Sequence, residues 1–114
     1  MSEATIRVPP EHVEAIRRSL NGRRGEARSA EIESLLGQIG DHTTDEGQPR
    51  VLVGSRTVLW GAVYDSLCVA AEQLADDFNE YWRGAIDPES ARARIATVTA
   101  RLELLVALGS PPAG

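Results

Sequence analysis

The chain has 114 residues and a net charge of −5, a size that suits one domain burying roughly two thirds of its unfolded surface. The acidic balance argues against binding nucleic acid through overall charge, and no apolar run approaches the roughly 20 residues of a membrane span. Cys68 is the only cysteine, which excludes an internal disulfide and suits a reducing, cytoplasmic setting; Met1-Ser2-Glu3-Ala4-Thr5 lacks the pattern of a secretory signal.

Thr5-Ile6-Arg7-Val8 alternates polar and apolar, the period of a short half-buried strand, which Pro9 ends. Pro10 suits a helix N-terminus, and Val13, Ile16 and Leu20 then fall on one helical face. Asn21-Gly22 reads as a stop. A second stripe, Ile32, Leu35, Leu36 and Ile39, is out of phase with the first by about a quarter turn. The spacing therefore predicts a break near 21–25, with one kinked helix over 10–39 as the alternative to two. Residues 40–49 are glycine-rich and polar and read as an exposed loop. Val51-Leu52-Val53, between Pro49 and Gly54, reads as a second strand, and 50–53 is expected to pair with 5–8.

Two long amphipathic helices follow, over about 56–82 and 88–108. Leu59, Val63, Leu67, Ala70, Leu74, Phe78 and Tyr81 form one stripe, flanked by Trp60, Tyr64, Ala71 and Trp82. All five aromatics fall within 60–82, so this helix is expected to be the structural centre, with Phe78 buried and Ser55 as its N-cap. After Gly84, Asp87-Pro88-Glu89 restarts a helix. Ala91, Ile95, Val98, Leu102 and Leu105 give it a heptad-like seam, expected to face its partner. The predicted fold is mainly α in one domain, 1–114: a helical hairpin packed on a shorter N-terminal helical pair, with a minor two-stranded β element.

Few residues carry chemistry. Glu72, Asp76 and Glu80 recur every four residues. Facing carboxylates of this kind hold metals in di-iron bundles, but only alongside Glu-x-x-His pairs. The sequence contains no such pair, so neither a metal nor a cofactor is expected and the stripe reads as a solvated face. His12 and His42 are the only histidines and have no recognisable catalytic companions, so no catalytic residue is assigned and His12 reads as a partly exposed helix residue. Cys68 lies on the flank of the long helix without a nearby cation, a packed thiol.

Two clusters qualify as binding surfaces. Asn79, Tyr81, Trp82 and Arg83 end the long helix with aromatic and arginine side chains of the type that anchors interfaces; a core corner between the two helices is the other reading. Arg17, Arg18, Arg23, Arg24 and Arg28 form an arginine cluster able to take an anionic partner, although Glu11, Glu14, Glu31 and Glu33 lie at spacings that would neutralise it.

The order Thr5-Ile6-Arg7-Val8-Pro9, a short helix, then Gly25-Glu26-Ala27-Arg28-Ser29-Ala30-Glu31-Ile32, resembles a ribbon-helix-helix DNA-binding domain over residues 4–39. The resemblance implies a strand that pairs with its twin across a dimer, with Thr5 and Arg7 reading bases. Ala27, where that family usually has a capping Ser or Thr, a turn longer by about one residue, and the overall acidity depart from it.

The leading functional expectation is a non-enzymatic interaction or regulatory module acting as a homodimer, with a further protein partner open to it. The alternatives are a DNA-binding regulator whose hairpin dimerises or senses an effector, and a small-ligand binder or enzyme using a pocket near Tyr81 and Trp82.

Overall fold

The computed structural model describes residues 3–23, 29–40, 48–84 and 87–109. The predicted loop at 40–49 lies largely outside the described residues, as do Ala27, Arg24 and Arg28.

In chain order the elements are β1 (Glu3–Val8), α1 (Pro10–Asn21), α2 (Ser29–Ile39), β2 (Arg50–Ser55), α3 (Arg56–Trp82) and α4 (Pro88–Ala107). The fold is mainly α with a small antiparallel sheet, as the periodicities predict. β1 pairs with β2 in the register Thr5 opposite Val53 and Val8 opposite Arg50, each strand running slightly beyond its predicted bounds. Alternation places Ile6, Val8 and Leu52 inward and leaves Thr5, Arg7, Val51 and Val53 outward. The Gln38 side chain of α2 covers one point on the sheet edge. Its Nε2 donates to the Val53 carbonyl, and the Val53 N–H donates to its Oε1, both at 2.8 Å. This satisfies backbone groups that an open edge leaves bare.

The helical pair is two helices, with α1 ending at Asn21. Both predicted stripes are inside: Val13, Ile16 and Leu20 from α1, and Ile32, Leu35 and Ile39 from α2. His12 is buried beside them, only 4% exposed, and not the partly exposed residue expected from its place in the first turn. It falls on the inward face of α1 with Val13 and Ile16.

The centre of the core is displaced from its predicted place. Val58, Leu59, Ala62, Val63, Ser66 and Ala70 are the buried residues of α3, and none lies beyond Ala70. α4 has none. Phe78 is 57% exposed, and Ile95 and Leu102 of the predicted seam are about half exposed. The physical reason is that a stripe gives a phase but not the length of its cover. The sheet and α1 lie against the first half of α3, with α2 packed on α1 and β2; beyond it α4 runs alongside, on one flank. Val58, on the side of α3 that carries Glu72, Asp76 and Glu80 further along, is buried because the core wraps further round this first half.

Ser55 stands at the N-cap position of α3 as predicted, but it is also the last residue of β2 and its side chain makes no cap bond. Asp87 does cap α4, its carboxylate accepting the Ser90 N–H at 2.8 Å, with Pro88 at the first helical position. That bond holds the Asp87 carboxyl below the usual aspartate range. α3 closes at Gly84, whose φ of 78° is accessible to glycine at little cost and whose N–H reaches the Tyr81 carbonyl. The two ends of the hairpin are tied at its base, where Arg56 Nε donates to the Leu108 carbonyl at 2.8 Å. Near the tip, Arg94 Nε meets Asp77 at 2.6 Å and Nη1 meets Gln73 at 3.0 Å.

Candidate functional site

Two surfaces stand out, on different sides of α3. The first is apolar. Trp60, Tyr64, Leu67, Ala71, Leu74 and Phe78 follow steps of four and three, so they share a face. Trp60 and Tyr64 stack with ring centroids 5.1 Å apart and planes within 13°. The indole N–H of Trp60 is shielded from solvent and has no acceptor among the described residues. Further out, Ala71, Leu74, Ala75, Phe78 and Asn79 line a shallow groove with Ile95 of α4. Leu102 and Val106, two and three turns further along the same side of α4, are also exposed. Trp82, 80% exposed at the tip, completes the stripe. The predicted cluster thus sits at the exposed end of the hairpin. Asn79 lines the groove, Tyr81 and Arg83 are exposed beside it, and no core corner closes over them.

The second surface is charged. Arg18 and Ser19, one turn on from Ala15 along α1, face Asp65, Val69 and Gln73 of α3 across a cleft of about 460 Å³. Arg23 enters at the end of α1 and Arg101 from α4. Arg23 Nε donates to Asp65 at 2.7 Å, and its Nη2 reaches the Gly61 carbonyl at 3.4 Å. Gly61 lets that guanidinium lie against the α3 backbone, since a Cβ there would come within 2.9 Å of it. Arg17 does not line the cleft and pairs with Glu14 at 3.0 Å, the same carboxylate that Arg18 approaches at 3.4 Å. Of the predicted arginine cluster the structure therefore brings Arg18 and Arg23 to one cleft and leaves Arg17 outside its lining. Arg101 was not foreseen as a member. Its only signal in the sequence was an arginine on the inner side of an otherwise apolar seam.

Arg101 Nε donates to His12 Nδ1 at 3.3 Å and Nη1 to the Ser66 carbonyl at 2.8 Å, joining α4 to α1 and α3. Accepting at Nδ1 requires that nitrogen to be unprotonated. Burial first, and the Arg101 charge second, push the His12 pKa below its ordinary 6.5, against a smaller opposing pull from Glu11. A folded pKa below the unfolded value means that the unfolded chain binds the extra proton first. The His12 contribution is thus complete above 6.5 and is lost as pH falls toward the lower folded value. Urea melts from about pH 7 to about pH 5 should show stability falling, with a shallower fall in His12→Gln; equal slopes would contradict a buried neutral histidine.

Among the described residues no group of three metal-ligating side chains forms, and Glu72, Asp76 and Glu80 are exposed on the far side of α3. None of the described helices is long and apolar enough to cross a membrane. Thr5 and Arg7 both face outward, as the ribbon-helix-helix resemblance requires, but β1 pairs along its length with β2 of its own chain, where that family pairs it with a twin. The chain matches no protein-family model, no curated protein and no solved structure.

Proposed function

We propose that the protein is a non-enzymatic interaction module that acts as a homodimer through the apolar side of its α3–α4 hairpin. The observation that carries this reading is the exposure of Phe78, Trp82, Ile95, Leu102 and Val106 on a hairpin with no fully buried residue beyond Ala70 in α3 and none in α4. Contiguous apolar surface of that kind is uncommon on soluble monomers. α3 has 27 residues and α4 has 20; side by side they present a face on the order of 700 Å². That is comparable with the ~800 Å² each partner contributes to a stable interface.

A second copy suits this face better than an unrelated chain for an electrostatic reason. The acids Glu72, Asp76 and Glu80 lie on the opposite side of α3, so two acidic chains can meet here without opposing their carboxylates. On α4 the exposed Arg92 and Glu103 share a side beside the apolar stripe, separated by about three turns. A two-fold axis between them, with the α4 helices antiparallel, sets each Arg92 against a Glu103 of the other copy, as an isologous interface requires. Sedimentation of charge-reversed variants tests this arrangement. Arg92→Glu alone should weaken association by about 10-fold, because the pair occurs twice in the interface, and adding Glu103→Arg should restore it. A double variant no better than the single one would refute the antiparallel α4 contact.

A further inference from the structure

Arg101 is half-buried where α1, α3 and α4 meet, and both acceptors it has found, the His12 imidazole and the Ser66 carbonyl, are uncharged. No carboxylate pairs with it among the described residues; the neighbouring charge it feels is another cation, Arg94. Burial and Arg94 together lower its pKa, yet a guanidinium keeps its proton in proteins. Among the described residues a half-buried cation is therefore held with nothing of opposite sign beside it, an arrangement that an anion would complete.

The same guanidinium opens onto the 460 Å³ cleft, which Arg18 and Arg23 also line. Asp65 is the one carboxylate among its lining residues, and it is engaged by Arg23 at 2.7 Å. Arg18 is bound only loosely, its side chain 80% exposed and its Nε 3.4 Å from Glu14; an exposed pair of that kind is weak enough for Arg18 to turn to a ligand. Ser19 and Gln73 add neutral hydrogen-bonding groups to the walls. The result is a concentration of positive charge in a molecule of net charge −5, within a volume typical of small-molecule sites. Guanidinium forks match the paired oxygens of carboxylate and phosphate groups.

We propose that this cleft binds a small ligand through an oxyanion group, a phosphate or a carboxylate, with Arg101 at its inner wall and Arg18 closing over the group from α1. Arg23, fixed by Asp65 and the Gly61 carbonyl, acts as a positioning residue that holds the mouth of the cleft in shape. The hairpin face is on another side of α3, so this site does not depend on dimerisation.

Titration calorimetry of the full chain with inorganic phosphate and, separately, with succinate tests the assignment. Binding of either probe supports the site, and the tighter of the two names the ligand group. Arg18→Gln should weaken that binding by at least about 10-fold, and Arg101→Gln should weaken it further. Arg7→Gln removes the same charge from the outward face of β1, outside the cleft, and should leave the affinity within about two-fold. Should Arg101→Gln fail to fold, the matched pair Arg18→Gln and Arg7→Gln still decides. The proposal is overturned if neither probe binds by roughly 10 mM. It is equally overturned if Arg7→Gln weakens binding as much as Arg18→Gln, or if neither Arg18→Gln nor Arg101→Gln has any effect.

Discussion

Leu59→Ala should lower the stability of the folded chain by about 2–5 kcal/mol. Leu59 is fully buried in the cluster that joins Ile6, Val8 and Leu52 of the sheet to Ile16, Leu20, Ile32 and Leu35 of the helical pair. Truncation removes three carbon atoms at a place where α3, the sheet and α1 converge, so no single element can relax into the space without leaving another. The loss includes both the transfer of the missing groups and the cavity left behind. Denaturant melts measure it as a lower midpoint at unchanged slope. A cost below about 1 kcal/mol would show that the core lies elsewhere.

Phe78→Asp should behave in the opposite way. Its side chain is more than half exposed in a single chain, so a charged replacement costs the monomer little. In the proposed dimer it would face the second copy from the hairpin face, where a buried aromatic anchor is worth 2 kcal/mol or more, about 30-fold or more in the dissociation constant. Because dimerisation stabilises by mass action, the melting temperature of the natural chain should rise with protein concentration. That of Phe78→Asp should not. A melting temperature independent of concentration in both proteins would mean that Phe78 anchors no self-association.

The contrast between these two residues also marks how far the sequence could be read. Both belong to one stripe of steps four and three along α3, and periodicity gives them the same status. What separates them is the length of α3 relative to the N-terminal elements, a tertiary quantity with no trace in the local pattern. Strand pairing was legible because alternation and the flanking prolines and glycines are local signals, and so was the break between α1 and α2, from the phase of their stripes. The Asp87 cap was legible for the same reason, and so was the position of Ser55 at the start of α3, where strand β2 runs directly into the helix and the side chain makes no cap bond. The charged cleft was half legible. Arg18 and Arg23 are close in sequence, but Arg101 reaches His12 across most of the chain, and no spacing rule connects residues so far apart. The environment of His12 was hidden likewise, since the donor it meets, Arg101, lies on α4.

Light scattering coupled to size-exclusion chromatography, on the natural chain at tens of micromolar (roughly the range in which a standard-sized interface is populated), tests the central claim most directly. A mass of twice the 12.3 kDa chain, falling to the single-chain value in Phe78→Asp, is the predicted result. A monomer of 12.3 kDa under the same conditions would contradict the homodimer and leave the exposed hairpin face to a different partner.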